Sequence, residues 1–287
     1  MRSPILFFFI LSLTSSAQIP TGSEIWTLDM SKNKESYSFK NPVNITNREG
    51  YDNQPAFSPD GKYILYASIR EDNQSDIYKY DLQTKVTSQL TKTPESEFSP
   101  TFTPDNIYIS AVRVEQDSTQ RLWKFNLDGN NPLLVNPSID SIGYHCWLNG
   151  STFVVFILTH PFTLITANTN NSITAPLANN AGRSFRRFQD NTHIIFTQDI
   201  DSIKWICITG INEKSKPVVK ALEKSEDFVL INNQIVFMAA GSQLYKFDIL
   251  KDKIWQEIGN FNMYNIQNIT RIAVNTDATK IAIVSNK

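Results

Sequence analysis

Four carboxylates, Asp52, Glu97, Glu226 and Asp227, stand before or at the opening of runs rich in apolar residues. Oxygen ligands of that kind, gathered around one axis, could hold calcium, and a carboxylate pair could serve as acid and base toward a glycan, uronate or lactone. The plainer reading is a set of solvated charges offset by Arg183, Arg186, Arg187 and Arg271 in equivalent stretches, with Tyr51, Phe98 and Tyr144 as aromatic neighbours. A ring of acidic, basic and aromatic residues is nearer in character to the polar mouth of a protein-binding surface than to a metal cage. The expectation is a binding mouth drawn from Tyr51, Asp52, Glu97, Phe98, Tyr144, His145, Arg183, Glu226, Asp227 and Arg271, without a cofactor, with calcium as the alternative. Which of these point inward depends on strand register, because a slip of one residue reverses every assignment.

Catalytic groups are harder to assemble from this chain. A serine hydrolase needs a nucleophile elbow between a strand and a helix. Gly182-Arg183-Ser184 precedes a strand-like run with no helix after it. The three histidines, His145, His160 and His193, lie far apart and lack the spacing of a metal-binding helix. His145 opens a strand and could look into an interior, although a strand histidine with a satisfied hydrogen bond is the simpler reading. Cys146 and Cys207 are too few for a disulfide framework or a four-cysteine zinc site, and they are expected to stay unpaired. No catalytic residue is expected.

Composition narrows the partners. Lys and Arg number 27 against 28 Asp and Glu in 287 residues, a net charge of −1, which gives no basic excess for nucleic acid. Arg2, the apolar run Ile5 to Leu13 and the small residues Ser15 and Ala17 make a cleavable export signal over residues 1–17, with cleavage before Gln18. Nine apolar residues are too few to span a bilayer, which needs about 20, and no later run does so. The chain is expected to be exported, to the periplasm or outside the cell, and to act as a monomer.

Positioning a mouth around an axis requires repeated elements, and these are legible. Pro55 to Ser68 holds an apolar strand, a turn at Asp60-Gly61 and a second apolar strand. Equivalent turns begin at Asp105, Asn149, Asp190, Asn232 and Asp277, at steps of 45, 44, 41, 42 and 45 residues. That period is the length of one four-stranded propeller blade. Five turns pair Asx with Gly or Asn, which tolerate left-handed backbone. Asp277-Ala278 departs, and the alanine implies a turn with less positive φ, or a little strain. A second motif recurs in phase: Ile25 to Asp29, Ile77 to Asp81, Leu122 to Asn126, Leu164 to Asn168, Lys204 to Ile208 and Leu244 to Asp248. Its period of two marks strands packed between neighbouring sheets. Fourth strands are expected at Val43 to Thr46, Val86 to Leu90, Leu133 to Val135 and Val218 to Ala221, with weaker signals elsewhere.

The outer motif appears at residue 25 before any hairpin, and the last hairpin, at 270–285, has none after it. The two chain ends should therefore complete one blade together and remove the exposed sheet edges. Residues 18–287 are expected to form a single all-β, six-bladed propeller of four-stranded antiparallel blades.

Phe57-Ser58-Pro59-Asp60-Gly61-Lys62 and its echo Phe102-Thr103-Pro104-Asp105-Asn106 resemble the repeats of TolB-like six-bladed β-propellers, also described as WD-repeat-like. The motif is clear in the first two repeats and the sixth and degenerate in the third to fifth. The resemblance implies an exported, non-enzymatic scaffold that binds a protein or peptide, such as a cell-envelope component, through one face or funnel. Related propellers also serve as enzymes, so a small propeller enzyme or a carbohydrate- or lactone-binding protein using channel carboxylates is the alternative.

Overall fold

A strand that is apolar along nearly its whole length must be covered on both faces. The second strand of every repeat has a buried central run of this kind: Tyr63–Ile69, Tyr108–Val114, Thr152–Ile157, His193–Ile200, Ile235–Ala240 and Lys280–Asn286. The computed structural model, which describes residues 22–286, packs each of them between two neighbours. The expected export signal, residues 1–17, lies outside the described residues.

The strands form six four-stranded antiparallel sheets, the blades of a propeller. From the axis outward, blade 1 holds Asp52–Phe57, Tyr63–Ile69, Ser75–Asp81 and Thr87–Gln89. Blade 2 holds Ser96–Phe102, Tyr108–Val114, Gln120–Asn126 and Leu133–Leu134, and blade 3 holds Ile142–Trp147, Thr152–Ile157, Thr163–Asn168 and Asn171–Asn179. Blade 4 runs Ala181–Arg187, His193–Ile200, Ile203–Gly210, Lys216–Lys220, and blade 5 runs Phe228–Ile231, Ile235–Ala240, Gln243–Asp248, Gln256–Asn260. Blade 6 joins both chain ends, with Ile269–Val274 and Lys280–Asn286 completed by Ser23–Asn33 and Ser36–Asn44. The seam is an unbroken ladder from Ser23 opposite Asn286 to Asp29 opposite Lys280. Blade 6 also touches blade 1, which closes the ring.

The core is divided into six clusters, one at each contact between blades, rather than gathered at the centre. Alternation along the second strands builds this arrangement. In blade 1, Ile64 and Tyr66 face blade 6 while Leu65 and Ala67 face blade 2. In blade 3, Phe153 and Val155 face blade 2 while Val154 and Phe156 face blade 4. Cys207 is buried in the cluster between blades 3 and 4, with Cys146 packed against it, and both thiols are free.

One expectation needs correction and another is resolved. The fourth strand of blade 6 is Ser36–Asn44, upstream of the expected Val43 to Thr46. Its own alternation explains the difference: Tyr37 and Phe39 turn inward, edge-on to Phe237 (centroids 5.0 Å apart) and Phe261 (5.4 Å). At the last hairpin, Ala278 takes φ of 55°, so the turn shares the left-handed conformation of Gly61, Asn106, Asn191 and Asn233, and of the two expected alternatives it is strain that the alanine bears.

Candidate functional site

The innermost strand of each blade has only one strand neighbour, so its other edge looks onto the axis. The six of them enclose a cavity of about 610 Å³. Its rim lies on the face carrying the turns between first and second strands, where exposed Pro59, Asn106 and Thr276 border it. Phe57, Phe102, Pro55 and Pro100 form a largely apolar wall on blades 1 and 2.

That wall is held in an unusual backbone. Gln54 and Ser99 have positive φ, 59° and 53°, where the inner strands of blades 1 and 2 slip register before Pro55 and Pro100. The Ser99 N–H donates to the Gln54 side-chain oxygen at 2.7 Å and ties the two blades together.

The cationic lining comes from blades 4 and 6. Blade 4 contributes Arg183, Arg186 and Arg187, and blade 6 contributes Arg271; Asp227 is the one carboxylate among the lining residues. Arg186 reaches Asp227 Oδ1 at 3.4 Å. Arg183 leans toward Glu226 at 3.7 Å. Arg271 donates to the Tyr144 hydroxyl at 2.8 Å and lies over the same ring. Arg187 bonds the Asn191 side chain and approaches the Leu148 carbonyl at 3.4 Å. Among the described residues, neither Arg187 nor Arg271 forms a salt bridge, although Asp227 acts on Arg271 at longer range.

Of the ten residues anticipated from sequence, the cavity brings together Tyr144, His145, Arg183, Asp227 and Arg271. The other five, Tyr51, Asp52, Glu97, Phe98 and Glu226, stand outside its lining. Asp52 and Glu97 are fully buried within the blades. Asp52 accepts from the Ser68 hydroxyl at 2.6 Å and pairs with Arg48, and its carbonyl accepts from Ser23 of blade 6. Glu97 accepts from Thr91, Thr93 and Arg113 Nε, and its carbonyl accepts from Ser75 of blade 1. Burial outweighs these donors and lifts the Glu97 carboxyl to about 7. These two carboxylates stitch blades together. Tyr51 and Phe98 pack against the cluster between blades 1 and 2, and burial raises the Tyr51 phenol to about 12.

Glu226 and Asp227 latch blade 5 onto blade 4. The Arg183 N–H donates to Glu226 at 2.8 Å, Ser184 donates to Asp227 at 3.0 Å, and the Phe228 N–H donates to Ser184 at 3.2 Å. Gly182 permits this approach, since a Cβ there would stand 2.5 Å from the Glu226 carboxylate. Sequence reasoning treated Arg186 and Arg187 only as countercharges. The signal was present, because a seven-residue strand with three arginines is ill suited to a core, and the register shift between Ala181 and Phe185 breaks its simple alternation.

One hydroxyl–imidazole pair merits a chemical test. Ser110 Oγ lies 2.8 Å from His145 Nε2 and receives the Trp147 indole N–H at 2.9 Å. The other ring nitrogen, Nδ1, has no hydrogen-bond partner, so no carboxylate orients the imidazole. Burial drives the imidazole down to about 3, too weak for a general base near neutral pH, and Ser110 is fully buried. The pair is a structural hydrogen bond. A divalent cation is no better served, since among the described residues no three His, Cys, Asp or Glu side chains converge on a common point.

No protein-family profile matches this sequence, and no curated protein matches it. Solved structures do match. The putative TolB from Agrobacterium tumefaciens superimposes with a TM-score of 0.73 at 12% identity, over 93% of this chain and 99% of that one. TolB from Acinetobacter baumannii gives 0.60 at 15% identity, over 93% of this chain and 65% of that one. XC5397, a gluconolactonase from Xanthomonas campestris, gives 0.65 at 6% identity, over 93% and 99%. The fold is thus that of TolB-like six-bladed propellers, a fold that also carries enzymes. No helix among the described residues is long and apolar enough to cross a membrane.

Proposed function

We propose that this chain is an exported, non-enzymatic propeller scaffold that binds a protein or peptide in the funnel on its turn-bearing face, as a single copy and without a cofactor. One observation carries the reading: the funnel's polar groups are equipped to hold a ligand rather than to transform one. Two of its four arginines, Arg187 and Arg271, form no salt bridge, while its single imidazole is a weak base bonded to a buried serine. Support also comes from the fold shared with proteins described as TolB.

A photo-crosslinking amino acid placed at Thr276 on the funnel rim, and separately at Val86 on the outer edge of blade 1, tests this in the producing cell. Covalent adducts to a defined protein are expected from position 276 only. In parallel, the purified chain should show no turnover of gluconolactone or oligogalacturonate, and dialysis against a chelator should leave its melting temperature unchanged. Turnover lost with the funnel arginines, or a chelator-dependent loss of stability, would replace the scaffold with the enzyme alternative.

A further inference from the structure

Arginine is distributed unevenly in this protein. Among the described residues, four of eight arginines line the funnel, and none of 17 lysines does. Lysine is the usual surface cation, whereas the planar guanidinium presents a fork of donors that matches a carboxylate in two parallel hydrogen bonds. A chain with net charge −1 that collects arginine, and no lysine, in one cavity has built a site for anions. The cations are also left unspent. Asp227 is shared between Ser184 and Arg186, and Arg187 and Arg271 keep donors without a carboxylate to receive them. Tyr144 fixes the Arg271 guanidinium by a hydrogen bond and by its ring face, which lowers the entropy cost of receiving a ligand.

The remaining lining identifies the kind of anion. The apolar wall of Phe57, Phe102, Pro55 and Pro100 lies across the ring from the blade 4 arginines and beside blade 6, which carries Arg271, and the free edges of the inner strands expose backbone donors and acceptors. A peptide offers all three counterparts at once: carboxylates, apolar side chains and an extended backbone. An oligouronate offers carboxylates and hydroxyls but nothing for the apolar wall. A second cavity of about 590 Å³ on the opposite face carries Lys204, Lys220 and Lys224, but Glu223 and Glu226 stand among them and Lys204 already pairs with Asp199 at 3.0 Å. Its charge is compensated, and its one arginine, Arg183, which also reaches the funnel, leans on Glu226.

We infer that the funnel recognises an acidic peptide segment, its carboxylates held by Arg187 and Arg271 and its apolar side chains packed on blades 1 and 2. This rests on the scaffold reading above and adds the chemistry of the occupant. The test uses a fluorescein-labelled twelve-residue peptide of alternating Glu and Leu, its Gln-for-Glu counterpart, and a labelled oligogalacturonate, each titrated by anisotropy into the mature chain. The acidic peptide should bind at least about tenfold more tightly than the Gln peptide, and more weakly as salt rises. Arg187→Gln, on the exposed rim, should weaken it about tenfold, and Arg271→Gln by as much or more; Lys220→Gln on the opposite face should change nothing. Because Arg271 is enclosed, its variant is accompanied by a melting curve, and Arg187→Gln carries the test if that variant unfolds. Equal binding of the Gln peptide overturns the anionic inference and leaves the scaffold reading standing. Binding of the oligouronate in preference to the peptide overturns both, and absence of binding by all three probes overturns the inference.

Discussion

Glu97 shows how far a charged residue's role departs from its position in the sequence. It opens an inner strand, as a mouth residue should, yet its side chain lies in the sheet among hydroxyls and Arg113 rather than on the axis. Burial raises its carboxyl from 4.5 to about 7, so between those values the folded protein keeps a proton that the unfolded chain releases. The stabilising contribution is therefore complete below about 4.5 and is lost as pH rises through about 7. Glu97→Gln keeps the shape without titrating, and urea midpoints from pH 4 to 8 should fall less steeply for the variant. Some slope should remain from Asp76, which burial lifts to about 6. Parallel curves for the two proteins would show that Glu97 is ionised throughout. Ser184→Ala removes a donor from Asp227 and an acceptor from the Phe228 N–H, both buried, and should cost about 1–3 kcal/mol in the same assay. At this scale sequence reasoning found the right neighbourhood and half the lining. Four of the five that the structure places outside the cavity, Tyr51, Asp52, Glu97 and Phe98, stand just before or at the register shifts of the inner strands near Asn53 and Phe98, which no spacing rule reveals.

Strands and turns were the most legible elements. Hairpins at Asp60 and Asp105 announce themselves because a Ser or Thr hydroxyl two residues earlier bonds the aspartate, and the aspartate receives the following backbone N–H groups. The third strands followed from their large inward residues, whereas the fourth strands, solvated and short, left little pattern beyond Tyr37 and Phe39. Asp277-Ala278 supplies the test at this scale. Asn275 holds the turn by accepting from the Thr279 and Lys280 N–H groups, and Ala278 is forced to φ of 55°. Ala278→Gly should relieve that conformation and stabilise the protein by up to about 1 kcal/mol, less what glycine adds to unfolded-chain entropy. A lower melting temperature for the variant would mean that the alanine is not strained.

For the molecule as a whole, the phase of the repeats revealed the closure before any coordinate did. A third-strand motif at the beginning and an unfinished hairpin at the end can be satisfied only by each other, and the ladder between Ser23 and Asn286 is that solution. Closure leaves each blade packed between two neighbours, and on the proposed reading that ring presents the arginines of blades 4 and 6 to a ligand with little reorganisation. The central claim is that this ring receives an acidic peptide at its turn-bearing face. Hydrogen–deuterium exchange with saturating Glu-Leu peptide tests it most directly. Slower exchange is expected in Ala181–Arg187 and Ile269–Val274, which carry the arginines, and in the facing inner strands of blades 1 and 2. Protection confined to Lys216–Lys220 and the following Leu222 to Glu226 stretch, beside the lysine-lined cavity, would contradict it.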